Sequence, residues 1–132
     1  DGAHNPQAAE VLVESLRADG IKRVPIVTSM VNGHESDPFY AALAPVATQA
    51  FVAPISSARA QPPEWIAESA QRAGMQAQAF GTVEEAVLAA ERAAPEGPIL
   101  VTGSFYFVGE IGNWLNAHRG LSFGTRPRVR RP

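Results

Sequence analysis

P-I-L-V-T-G-S-F-Y, residues 98 to 106, is the stretch whose reading decides the fold. A short apolar run opened by a proline and closed by a glycine reads as a strand over Pro98–Thr102. Nothing polar interrupts it before Thr102, so both of its faces are predicted to be covered. The G-S-F-Y-F-V-G-E segment after it leads into a last helix reaching about His118.

The rest of the chain extends this pattern toward the N-terminus. Thr82, with Glu85 three residues on, has the form of a capping box at the start of a helix over Val83–Ala94. Before it, Gln76–Phe80 reads as a weaker strand, and Glu64–Ala73 as a helix ending at Gly74. Ala50–Ile55 is a further short strand, and Asp37-Pro38 opens a short helix through Leu43. Residues 22 to 30, K-R-V-P-I-V-T-S-M, form an apolar, β-branched strand in which Pro25 is an objection, because proline lacks a ladder donor and prefers edges or strand starts. Ala8, Val11, Leu12 and Leu16 recur at helical spacing in Pro6–Ala18, with Asn5 as cap, Pro6 at the first helical position and Asp19-Gly20 as stop.

Helix and strand therefore alternate without an internal repeat. A parallel crossover needs a helix-sized connection, so the order implies an α/β, Rossmann-like, mostly parallel sheet with helices on both faces. Ligands of such folds collect beyond the carboxyl ends of the strands. A crossover helix at Pro6 also needs a strand before it, so the chain is expected to be excised from a longer one, with D-G-A-H-N (residues 1–5) as the loop at that strand's end. His4 and Asn5 would then lie at a helix start, which favours an anion.

Composition narrows the function classes. With 132 residues, 45% of them apolar and 18% charged, the chain fits one globular domain. No run approaches the ~20 apolar residues of a membrane helix, and no secretion signal is evident at residue 1. With no cysteine there are neither disulfides nor thiolate metal sites, and the expected location is cytoplasmic. The net charge of −2 hides five arginines and no acid in residues 119–132; the rest carries six basic and thirteen acidic side chains, or −7. That acidic body argues against nucleic acid as a partner, and no membrane partner is expected. Residues 1–118 are expected to form the domain and 119–132 a basic, flexible tail, which reads as a patch for an anionic partner or as a solvated terminus.

Familiar local nucleotide and catalytic signatures are absent: no phosphate loop, G-x-G-x-x-G, H-E-x-x-H or G-x-S-x-G occurs. His4, His34 and His118 are too dispersed to suggest a metal site, and none is assigned. His34 and His118 read as exposed side chains.

Two stretches carry a family likeness: D-G-A-H-N-P at residues 1–6 and V-T-G-S-F-Y-F-V-G-E at residues 101–110. L-A-P at Leu43–Pro45 and S-A-R-A at Ser57–Ala60 agree with it. On these motifs the chain resembles the C-terminal domain of the folylpolyglutamate synthase/dihydrofolate synthase family, within the Mur-type ATP-dependent amide ligases, over residues 1 to about 117. The resemblance implies a small Rossmann-like domain that follows an ATPase domain on the same polypeptide and is inactive alone. It implies the cofactors ATP and Mg²⁺, with the metal ligands mainly on that ATPase domain. The implied reaction is phosphorylation of a carboxylate by ATP, attack of the L-glutamate amine on the acyl phosphate, and amide formation on dihydropteroate or a folate. A monomer suits an enzyme that opens and closes.

The matching residues take their roles from that resemblance. Asp1 would accept from the ATP ribose or face its phosphates, His4 would reach the nucleotide, and Gly2 would allow a tight turn against it. The other readings are a turn residue for Asp1 and a helix-end cap for His4, and Asn5 reads as a structural cap. Ser104, with Phe105 and Tyr106 beside it, would hold the incoming glutamate, or Ser104 would only cap a helix. No residue of this domain is assigned as catalytic. The family's D-K-D or T-K-D loop is E-S-D at Glu35–Asp37, so Ser36 stands in place of a lysine. Arg59 is a candidate substrate or phosphate contact in its stead, or a solvated surface arginine. Two other readings stay open: a peptidoglycan-precursor amide ligase of the Mur type, and a non-catalytic Rossmann-like binding or regulatory module.

Overall fold

In the computed structural model, residues 5–30, 36–56, 59–103 and 111–113 are described. The element order is α1 (Pro6–Ala18), β1 (Val24–Ser29), α2 (Ser36–Leu43), β2 (Ala47–Val52), α3 (Pro63–Arg72), β3 (Gln76–Ala79), α4 (Val83–Ala93) and β4 (Leu100–Gly103). The four strands form one sheet in the order β3-β2-β1-β4, and every pairing is parallel. The predicted α/β sheet with helices on both faces is therefore present.

Chain order explains which helix lies on which face. From β1 to β2 to β3 the chain steps one way across the sheet; from β3 it crosses back over two strands to β4. Right-handed crossovers in opposite directions put their helices on opposite faces. Side chains of α1, α2 and α3 share one core with Val24, Ile26, Ala50, Val52 and Leu100. Ala86, Val87 and Ala90 of α4 pack on the other face with Val27, Phe51, Ile99 and Val101, where Ile111 joins them. Alternation along each strand separates the two sets, Ile26 from Val27 and Leu100 from Val101. Full burial of a side chain such as Leu12, Ile26 or Leu100 contributes roughly 1.5–3 kcal/mol each.

Pro25 sits in the central strand, and the local pairing shows why it is tolerated. The Val24 N–H donates to the Val46 carbonyl on the β2 side at 2.8 Å. Backbone groups alternate sides along a strand, so the missing donor of Pro25 faces β4, where pairing starts only at Ile26↔Leu100.

The second strand departs furthest from its sequence expectation; the others differ only at their ends, β4 running Leu100–Gly103 rather than Pro98–Thr102. The second strand is Ala47–Val52 rather than Ala50–Ile55. Its polar start is held by β3, with the Gln49 Nε2 donating to Gln76 Oε1 at 3.2 Å. Its register against β1 slips between Val24↔Ala47 and Ile26↔Ala50, which keeps both alanines in the same core. The ladder ends before Pro54, which has no N–H to give. The third helix starts one residue early, on Pro63, a residue suited to a first turn.

Caps follow the sequence closely. Asn5 Oδ1 accepts from the Ala8 N–H at 2.8 Å, fixing the start of α1. Thr82 Oγ1 accepts from the Glu85 N–H at 3.1 Å, and its hydroxyl donates to the Glu85 carboxylate. No helix among the described residues is long and apolar enough to cross a membrane.

Candidate functional site

Among the described strands the topological switch point lies between β1 and β4, from which the chain departs in opposite directions. Ser29↔Gly103 is the last pair of that ladder. Gly103 has φ +130°, and a Cβ placed on it would stand 2.1 Å from the Ser29 carbonyl oxygen. Glycine is thus required here twice over, by conformation and by contact. At this pair β1 and β4 end in close backbone apposition.

Buried hydroxyls accumulate at this end. Thr28 Oγ1 and Tyr40 Oη share a hydrogen bond of 2.8 Å inside the core. Burial pushes the Tyr40 pKa upward, only partly opposed by Thr28, so the phenol stays neutral. Thr102, the β4 partner of Thr28, and Ser29 are both fully buried, and neither hydroxyl has a hydrogen-bond partner among the described residues.

Around this end stand the starts of helices. The α1 helix hands over to β1 within residues 19–23 and packs on it, so it runs antiparallel to β1 and begins near the carboxyl ends of the strands. By the same reasoning α2 and α3, which follow β1 and β2, begin at that end. Their free N–H groups favour negative charge there.

A stitch of polar bonds lies across the β1 exit. The Gln61 N–H donates to the Met30 carbonyl at 3.0 Å, and Ser36 Oγ donates to Gln61 Oε1 at 3.1 Å. Arg59, two residues before Gln61, is exposed on the same rim. Asp37 is turned to another partner set: Arg72 binds it through Nε to Oδ2 at 3.2 Å and Nη2 to Oδ1 at 2.9 Å, and Ser69 Oγ also donates to it. Arg72 and then Ser69 hold the Asp37 carboxyl below its ordinary 3.8. Both ends of the pair are more than half exposed, so its role is to register α2 on α3 rather than to supply much stability.

Of the residues predicted for a site, Asp1, Gly2, His4, Ser104, Phe105 and Tyr106 lie outside the described residues, as do His34, the last helix beyond residue 113 and the 119–132 tail. Asn5 is the predicted cap, and Arg59 is on the predicted rim. The Ser36–Gln61 and Asp37–Ser69–Arg72 contacts were missed from sequence. Their partners are 25 to 35 positions apart and follow no local spacing. Among the described residues no three His, Cys, Asp or Glu side chains group as a metal site. The exposed Arg59 and the helix starts of the rim instead suit negative charge.

An all-parallel, Rossmann-like domain with an anion-suited rim at its switch point is the class these features define. The chain belongs to the Mur ligase glutamate ligase domain family, which matches residues 1–105. Comparison with curated protein sequences gives no significant match. Among solved structures, Mycobacterium tuberculosis folylpolyglutamate synthase, complexed with ADP and AMPPCP, is 25% identical with a TM-score of 0.80; the match covers 97% of this chain and 30% of that one. Escherichia coli FolC in complex with DHPP and ADP is 28% identical, TM-score 0.74, covering 90% and 28%. The bifunctional folylpolyglutamate synthase/dihydrofolate synthase with Mn, AMPPNP and L-glutamate bound is 27% identical, TM-score 0.74, covering 88% and 28%. This chain thus spans less than a third of the length of the proteins it matches.

Proposed function

We propose that this chain is the C-terminal, glutamate-closing domain of a folylpolyglutamate synthase-type ligase, which adds L-glutamate to dihydropteroate or a folate at the expense of ATP. In this reading it works with an ATPase domain on the same polypeptide, is inactive alone, and lies within residues 1–118. The basic residues 119–132 follow as a tail.

One observation carries the reading: the two family motifs adjoin described residues at the same end of the sheet. D-G-A-H is followed directly by Asn5 and the start of α1, and Ser104 directly follows Gly103 at the end of β4. The shared rim also holds Arg59 and the helix starts, which suits the carboxylates and phosphates of such a reaction. The folate-type proteins among the structural matches favour this branch over a peptidoglycan-type ligase.

Within this reading Asp1 and His4 contact the nucleotide, Gly2 allows its close approach, Ser104 with Phe105 and Tyr106 holds the glutamate, and Arg59 meets an anionic group. ATP supplies the phosphoryl group that activates the acceptor carboxylate, and Mg²⁺ is held mainly by the ATPase domain. The domain's own contribution is positioning: it holds the amine near the activated carboxylate and excludes water as the two domains close.

The test is ATP-dependent glutamate addition to dihydropteroate and to tetrahydrofolate by the complete ligase, with Asp1→Ala, His4→Ala and Ser104→Ala. The first two are expected to raise the KM for ATP and the third that for L-glutamate. No glutamate addition to either acceptor by the unaltered enzyme refutes the function. Unchanged constants in all three variants refute the residue roles.

A further inference from the structure

Among the described residues two large apolar side chains are exposed, Val11 at 64% and Trp65 at 62%. Val11 lies midway along α1, whereas Trp65 is the third residue of α3, in the turn that begins at the carboxyl end of the sheet. The contact between α2 and α3 accounts for its exposure. Asp37, second in α2, accepts a hydrogen bond from Ser69, seventh in α3, and both side chains are short, so these two levels coincide. Both helices start at the same end of the sheet, and α3 therefore begins about five residues, or ~7.5 Å, further out than α2. Trp65, Ser69 and Arg72 follow at spacings of four and three along one side of α3, the side turned to α2. Trp65 thus overhangs the start of α2, and because helical side chains tilt toward the N-terminus its indole leans outward, to the rim. Exposed Glu64 and Glu68 flank it with a polar surround.

We propose that Trp65 is the apolar anchor that seats this domain on the ATPase domain of the same polypeptide when the two close. The inference rests on the proposed function and adds a contact surface to it. The structural matches are more than three times as long as this chain, and in the proposed function the ATPase domain precedes residue 1. Asn5 caps α1 at the rim, and four residues of chain reach at most ~14 Å from it, so the connection enters at the rim end of the sheet. Packed helices lie ~10 Å apart, which puts the start of α3 about 20 Å from that of α1, across α2. A lobe of about twice this domain's length, entering beside α1, is wide enough to reach it. Tryptophan suits the role, because its rigid ring system buries much area at little ordering cost and dominates many interfaces. Covering the exposed part of the indole, ~100–150 Å², shifts a closing equilibrium on the order of a hundredfold, and about tenfold after the cost of immobilising it.

The experiment uses the complete ligase with Trp65→Ala, Trp65→Phe and, as control, Val11→Ala. Acrylamide quenching of the Trp65 emission is taken as the difference between the unaltered enzyme and Trp65→Phe. It is measured in the free enzyme and with AMPPNP, L-glutamate and whichever of dihydropteroate and tetrahydrofolate is glutamylated. The quenching constant is expected to fall several-fold when the ligands are added. Trp65→Ala should lower kcat/KM about tenfold for all three substrates alike, with the Tm of the free enzyme within about 2 °C of the unaltered one. Trp65→Phe should keep most of the activity and Val11→Ala all of it. Quenching that the ligands leave unchanged overturns the inference, as does full activity in Trp65→Ala. A loss confined to the KM of one substrate gives the indole to that substrate, and a loss matched by a fall in Tm makes it structural; either outcome also overturns the docking. These failures leave the proposed function standing. Absent glutamate addition by the unaltered enzyme refutes that function itself.

Discussion

Replacing Gly103 by alanine puts a methyl carbon 2.1 Å from the Ser29 carbonyl oxygen, where even close carbon–oxygen contacts are about 3.3 Å. Relief requires β1 and β4 to part by about an ångström at Ser29↔Gly103, the last pair of the ladder. One terminal hydrogen bond lost there costs about 0.5–1.5 kcal/mol. Holding a non-glycine residue at φ +130° adds about 1–3 kcal/mol. The expected destabilisation is therefore about 1.5–4.5 kcal/mol. Gly74 supplies the control: its φ is +98° and nothing lies within 4 Å of an added Cβ, so Gly74→Ala should show the conformational cost without the collision. Urea unfolding followed by circular dichroism gives both values as shifts in midpoint at constant slope. Gly103→Ala losing no more than Gly74→Ala would refute the close apposition of the two strands at the switch point.

Two further outcomes follow from the buried and exposed polar groups. Tyr40→Phe leaves the Thr28 hydroxyl buried without its partner and should cost about 1–3 kcal/mol, part of which Thr28→Val recovers in the double variant; strict additivity of the two losses would contradict the shared bond. The Asp37 carboxyl is held below its ordinary 3.8 in the folded state, so its favourable contribution is full above that value and disappears as pH falls through the folded pKa. The Tm difference between the unaltered chain and Asp37→Asn should accordingly be constant near neutrality and close below about pH 4; a difference independent of pH would remove the Arg72 clasp as its source.

Local signals carried most of the fold. The apolar run ending in Gly103, the caps at Asn5 and Thr82, and the helical spacing of Leu12 and Leu16 each depend on neighbours a few positions away. Those are the distances over which sequence patterns speak. The second strand was misplaced because its first half, Ala47 to Gln49, is stabilised by a neighbouring strand instead of by its own apolar character. The polar contacts of the rim were illegible for a related reason. Ser36 stood only as the replacement of a family lysine, yet it is the donor to Gln61, and Asp37 was read only as the opening of a helix, yet it faces Arg72. Both assignments depend on which helices the crossovers bring side by side. The family motifs, in turn, were readable only as a resemblance, since no spacing rule gives D-G-A-H or G-S-F-Y a chemistry of its own.

The crossover from β3 back to β4 has a consequence for how the molecule comes into being. Ile26 and Leu100 are further apart along the chain than any partners in the other two ladders, so their contact carries the steepest loop-closure cost and the latest position during synthesis. Until β4 docks, β1 is an open edge and the crevice beside it has only one wall. The crevice at the switch point is thus closed only when the last described strand docks, and until then one row of β1 backbone groups stands unpaired.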